Sequence, residues 1–159
     1  MDALTAIGFA LRGEVDGVVI TPKTIGLSQF NEFNQQVEAF LAGSERTKLN
    51  QVQVEIREGS YLFRAVISSA LALSTLGQDI RILERQDALG EVDPKRAEVV
   101  RKWQARAKAS PRLEFEIRPE GQALPSIRVN HETDYREGNI QPWVTVEKYL
   151  RGEVVDMGG

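Results

Sequence analysis

The sequence predicts an α+β domain: a mainly antiparallel sheet with about three helices packed on one face, plus a β-rich C-terminal extension. Three observations carry this expectation. Residues 51–57 and 113–118 alternate apolar and polar side chains with period two, the mark of strands with one buried face. Residues 27–41 instead space Leu27, Phe30, Phe33, Val37, Phe40 and Leu41 at three- and four-residue steps, which makes one apolar stripe on a helix. Asp93-Pro94 sets an acidic N-cap before a proline at the first helical position and so opens another helix.

In chain order, residues 5–21 read as two short strands joined at Asp16-Gly17, since Gly accepts the positive φ of a tight hairpin turn. Thr21-Pro22 closes that segment, because Pro cannot continue a central ladder. Thr24 or Ser28 is placed to cap the helix at 27–41, and Gly43 to end it. Residues 51–66 form a hairpin around Glu58-Gly59-Ser60, which lacks the Gly-x-x-x-x-Gly-Lys-Ser/Thr spacing of a phosphate loop. Residues 66–89 read as a helix: Val66, Ile67, Ala70, Leu71, Leu73 and Leu76 are apolar nearly all round, which implies deep burial at the centre of the helical layer. Helix 95–108 turns Ala97, Val100, Trp103 and Ala107 inward, and Ser110-Pro111 stops it before the strand Leu113-Phe115-Ile117.

After Pro119 the pattern changes. Between Pro119 and Pro142 only Ile127 and Val129 carry a strand signal, so Pro119 is read as a boundary. Residues 1–118 form the core domain. Residues 119–159 form an irregular connection and a β-rich segment, the start of a second domain or an inter-chain strand. Trp143, Tyr149 and Val154 are its interface candidates. Gly158-Gly159 reads as a turn whose return strand lies further along a longer natural chain or in another chain, or as a processed terminus, rather than as a modifier tail.

Composition then limits the chemistry. The 159 residues hold 20 Lys and Arg against 23 Asp and Glu, a net charge of −3. There is no Cys and one His, which removes disulfide, thiol-nucleophile and cysteine–zinc chemistry and leaves no multi-histidine cage in one chain. No apolar run reaches the roughly 20 residues of a membrane span, and no secretory leader is visible, so a cytoplasmic location without membrane contact is expected. No cofactor and no metal are expected.

Three functional readings follow, with enzymatic activity uncertain and the lean against it. The first is a non-enzymatic protein–protein interaction or assembly module, with a protein partner or self-association. The second is a nucleic-acid-binding or sensing component that uses the basic helix 95–108, with Arg96, Arg101, Lys102 and Arg106 as phosphate or base contacts. The third is a metal-assisted enzyme around His131, with Glu132 and Asp134 as the catalytic candidates, because a lone imidazole beside carboxylates is a general-base arrangement. The acids Glu55, Glu58, Glu114 and Glu116 read as solvated strand faces. Thr21-Pro22-Lys23-Thr24 before an amphipathic helix, followed by a strand ending at Glu58-Gly59-Ser60, looks broadly like uncharacterised bacterial domains, some of them beside phage-defence genes. That likeness covers under half of the chain and includes no catalytic motif.

Overall fold

A computed structural model describes residues 4–21, 23–44, 51–57, 60–68, 70, 74–121 and 124–138. The elements are β1 (Leu4–Val15), β2 (Val18–Val19), α1 (Leu27–Ala42), β3 (Gln51–Arg57), β4 (Ser60–Ser68), α2 (Thr75–Ile82), a 3-10 turn (Leu89–Glu91), α3 (Pro94–Ala109), β5 (Leu113–Pro119) and β6 (Ile127–Val129). The strands lie in the order β3-β4-β1-β5-β6, each antiparallel to its neighbour, and β2 folds back on the end of β1. The predicted α+β class is therefore the observed one. Among the described residues no helix is long and apolar enough to cross a membrane.

Period two explains the layering. In β1, Ile7, Phe9 and Leu11 enter the core beneath the helices, while Ala6, Gly8, Ala10 and Arg12 occupy the opposite face. Tyr61, Phe63, Ala65 and Ile67 of β4 join the core side, as do Leu113, Phe115 and Ile117 of β5. From the helices come Phe33, Val37, Phe40 and Leu41 of α1, Leu76 and Ile80 of α2, and Val100 and Trp103 of α3. Trp103 is the centre of this layer. It stacks on Phe115 at 5.3 Å and on Phe40 at 6.1 Å, and its indole N–H donates to Gln36 Oε1 at 2.8 Å. The large apolar area of the ring is buried without stranding its one polar atom.

The segment 66–89 departs from the predicted single helix. Val66, Ile67 and Ser68 belong to β4, Ala70 is helical, and α2 runs from Thr75; residues 69 and 71–73 lie outside the described set. The apolar run offers no period that separates strand from helix. Val66 and Ile67 are β-branched and pair with Ala6 and Thr5 of β1, so tertiary pairing decides. The core also continues past Pro119. β6 pairs with β5, and Tyr135 is buried with its hydroxyl donating to Leu83 O at 2.8 Å; burial pushes that phenol up to about 12.

One polar network fixes the helices. Asp93 caps α3 as predicted, its Oδ2 accepting from Lys95 N at 3.0 Å and Arg96 N at 3.4 Å. The same oxygen accepts from Ser44 N at 3.0 Å, just past the end of α1. Arg96 turns inward, 1% exposed, and bonds Asp79 Oδ2 of α2 at 3.0 Å, Phe40 O at 2.6 Å and Leu41 O at 3.2 Å. It thus satisfies carbonyls at the end of α1 that no helical N–H reaches. Gly43 ends α1 at φ 62°, and a Cβ there would stand 2.7 Å from the Arg96 guanidinium carbon.

Partial desolvation opposes ionisation of Asp93, but the bonds from Ser44, Arg96 and Lys95 outweigh it and hold the carboxyl below its usual 3.8. A carboxyl lowered in the folded state stabilises the fold above its unfolded pKa, and that contribution is lost as pH falls through the folded value. Urea titrations of wild type and Asp93→Asn should therefore show a stability gap at pH 7 that narrows below about pH 4. A gap constant across that range would contradict this assignment.

Candidate functional site

The β1–β2 hairpin projects past the end of the sheet. Asp16 (φ 53°) and Gly17 (φ 79°) both adopt positive φ, the geometry of a two-residue turn whose twist matches the flanking strands. Val15 pairs with Val18 and Glu14 with Val19 across it. Successive strand residues face opposite ways, so Val18 lines a cleft on the helical side, while Val19 lines a shallow hollow with Arg12, Arg112 and Glu114 on the other. Ile20 turns inward, its N–H bonding Gly13 O at 2.8 Å, and fixes the base of the hairpin in the core.

Thr24 was expected as a helix cap. Instead its hydroxyl donates to Val19 O at 2.5 Å and accepts from Thr21 N at 2.9 Å, which satisfies an outward carbonyl of β2. α1 starts after Gly26 with no side-chain cap. The cleft that results holds about 530 Å³ between the hairpin, the first turn of α1 and the C-terminal half of α3. Val15, Val18 and Ile20 supply its apolar wall; Ser28, Glu32 and Arg106 supply polar groups. Val18 (52%), Val19 (51%) and Leu27 (76%) are the exposed large apolar side chains among the described residues. Leu27, expected in the buried stripe of α1, sits one turn before the core begins, between the cleft-lining Gly26 and Ser28.

The sheet face away from the helices carries an ion-pair lattice. Glu116 was read as a solvated strand acid, yet its side chain is 7% exposed beneath Arg12, Arg118 at 2.9 Å and Arg128 at 3.8 Å. Arg12 also bonds Glu114, and Arg64 forms a two-pronged pair with Glu120 at 2.6 and 2.9 Å. These bonds join β1, β4, β5 and the chain just after β5. Gly8 stands between Arg64 and Arg118 in the register, and a Cβ there would touch Leu62 Cδ1 at 3.1 Å.

The sequence candidates are dispersed. His131, Glu132 and Asp134 are all exposed on the turn after β6. That turn is shaped by Asn130 Oδ1, which accepts from Glu132 N at 2.9 Å and Thr133 N at 3.1 Å. The turn is tied to α3: Lys108 donates to His131 O at 2.7 Å, and Gln104 bonds Asn130 O, Tyr135 N and the Thr133 hydroxyl. Among the described residues no three His, Asp or Glu side chains converge on a metal position. Of the basic-helix candidates, Arg96 is interior. Arg101 pairs with Glu137 at 2.5 Å and Lys102 with Glu98 at 3.8 Å. Arg106 is half-buried against the cleft and makes no ion pair among the described residues. Trp143, Tyr149, Val154 and Gly158-Gly159 lie outside the described residues.

The fold and cleft define the class: an antiparallel α+β sheet with helices on one face and an apolar-tipped hairpin beside a half-open cleft. Comparison with protein-family models, curated proteins and solved structures finds no match.

Proposed function

We propose that this protein is a non-enzymatic interaction module that receives an apolar side chain of a partner protein in the cleft beside the β1–β2 hairpin. The observation that supports this is the coincidence of Val18, Val19 and Leu27. All three are exposed large apolar groups near the hairpin: Val18 lines the cleft, Leu27 lies between its lining residues Gly26 and Ser28, and Val19 faces the hollow on the other side. Each such side chain gains about 1.5–3 kcal/mol on full burial, which suits an anchor residue of a partner. Arg106 at the cleft wall, which makes no ion pair among the described residues, provides a guanidinium for a carboxylate or carbonyl next to that anchor.

A photo-reactive phenylalanine analogue at position 27, compared with one at the exposed Arg85, tests the reading in the native cell. The expected result is a protein adduct from position 27 that Val18→Asp abolishes and that position 85 does not give. No adduct, or the same adducts from both positions, overturns it.

A further inference from the structure

The described sheet has a long free edge. β3 runs seven residues, Gln51–Arg57, and among the described residues it pairs with β4 alone. Two residues separate Arg57 from Ser60, its register partner, so this hairpin has a two-residue loop. In such a hairpin the pair flanking the loop exchanges both hydrogen bonds. Bonding then alternates along the strand. Residues 51, 53, 55 and 57 direct their backbone groups to β4, and Val52, Val54 and Ile56 direct theirs outward.

That outward set is symmetric about Val54. An antiparallel copy of the same strand, centred there, sets Val54 against Val54, Val52 against Ile56, Gln53 against Glu55 and Gln51 against Arg57. Every apolar position meets an apolar one, and no like charges face each other. A register centred on Glu55 instead sets two carboxylates opposite, and one centred on Gln53 shortens the overlap. The Val54 register also keeps faces in step. Val52, Val54 and Ile56 occupy the positions opposite Ala65, Phe63 and Tyr61, the core side of β4, so both copies hold their helices on one side of a continuous sheet.

We infer that β3 is a homodimerisation edge, pairing with β3 of a second copy about a two-fold axis through Val54. Three outward residues per chain form three mutual pairs and satisfy backbone groups that have no strand partner among the described residues. The interface is isologous and closes at two copies. This extends the interaction-module reading but stands on a different edge from the hairpin cleft, so either can fail alone.

Sedimentation equilibrium of the full chain across a wide dilution range is expected to show a monomer–dimer transition. Val54→Pro removes the central outward N–H, a position an edge strand tolerates, and is expected to weaken the dimer by about tenfold to a hundredfold. Because the chain has no Cys, a disulfide gives a second readout that does not rely on the proline variant folding. Mixed Gln53→Cys and Glu55→Cys chains are expected to cross-link readily under mild oxidation, and either alone poorly, since only the mixture sets two thiols directly opposite. A monomer at every concentration without mixed cross-linking overturns the inference. So does a dimer that Val54→Pro leaves intact and Val18→Asp dissolves, which assigns self-association to the cleft instead.

Discussion

Arg96→Met lowers the unfolding free energy by about 3–5 kcal/mol at neutral pH. The side chain is the common partner of three helices: it neutralises Asp79 and bonds the Phe40 and Leu41 carbonyls at the end of α1. Met fills the space but donates nothing, so a buried carboxylate and two helix-end carbonyls lose their donor together. Burial already pushes the Asp79 carboxyl above its usual value even with Arg96 beside it. Without Arg96 the acid must ionise alone or take up a proton in the folded state. The deficit is therefore largest at neutral pH and shrinks as pH falls toward about 4, below which the folded and unfolded chains are both protonated there. Replacing both partners, in Arg96→Met with Asp79→Leu, recovers much of the loss, because the cost lies mainly in the orphaned charge. Urea unfolding of the two single variants and the double variant at pH 7 checks this. Equal losses in Arg96→Met and the double variant would refute it.

The second large effect falls on a glycine. Gly13→Ala destabilises by more than about 3 kcal/mol, beyond the 1–3 kcal/mol of a strained backbone alone. Gly13 sits at φ 110°, and a Cβ there would lie 1.7 Å from Arg112 O. The contact is with backbone, where β5 begins its pairing with β1, so no side-chain rotation relieves it. Gly17 is the internal control. Its φ is also positive, at 79°, but nothing lies within 4 Å of an added Cβ. Gly17→Ala then costs only the conformational penalty, about 1–2 kcal/mol. Thermal unfolding of both variants separates strain from overlap, and equal losses would remove the overlap argument.

The contrast between legible and hidden features follows from range. The α1 stripe from Phe30 onward, the Asp16-Gly17 hairpin, the Asp93-Pro94 start and the inward side of β5 are local patterns, and each appears where the sequence places it. The strand at Val66-Ile67 is decided by β1, which pairs with it from some sixty residues upstream. Arg96 looks like one more cation on a basic helix until Asp79 and the end of α1 arrive around it. Glu116 looks solvated until Arg12, 104 residues earlier in the chain, folds over it. The cleft has the same character. Exposure of Leu27 depends on where the core begins, and Arg106 joins Val18 only through tertiary packing. Composition predicts none of these meetings, because it lacks the third dimension.

The central position of β1 also sets a timetable for the nascent chain. β1 is made first and β4 can join it early, but its other neighbour, β5, starts only at Leu113. At about 5–20 residues per second, the hundred or so residues between them take roughly 5–20 s to synthesise. Through that interval the middle strand of the finished sheet has a bare edge on the ribosome. The exposure of β1's second edge thus belongs to translation rather than to the completed fold. Its end comes when β5 emerges and the arginines of β1 and β5 close over Glu116.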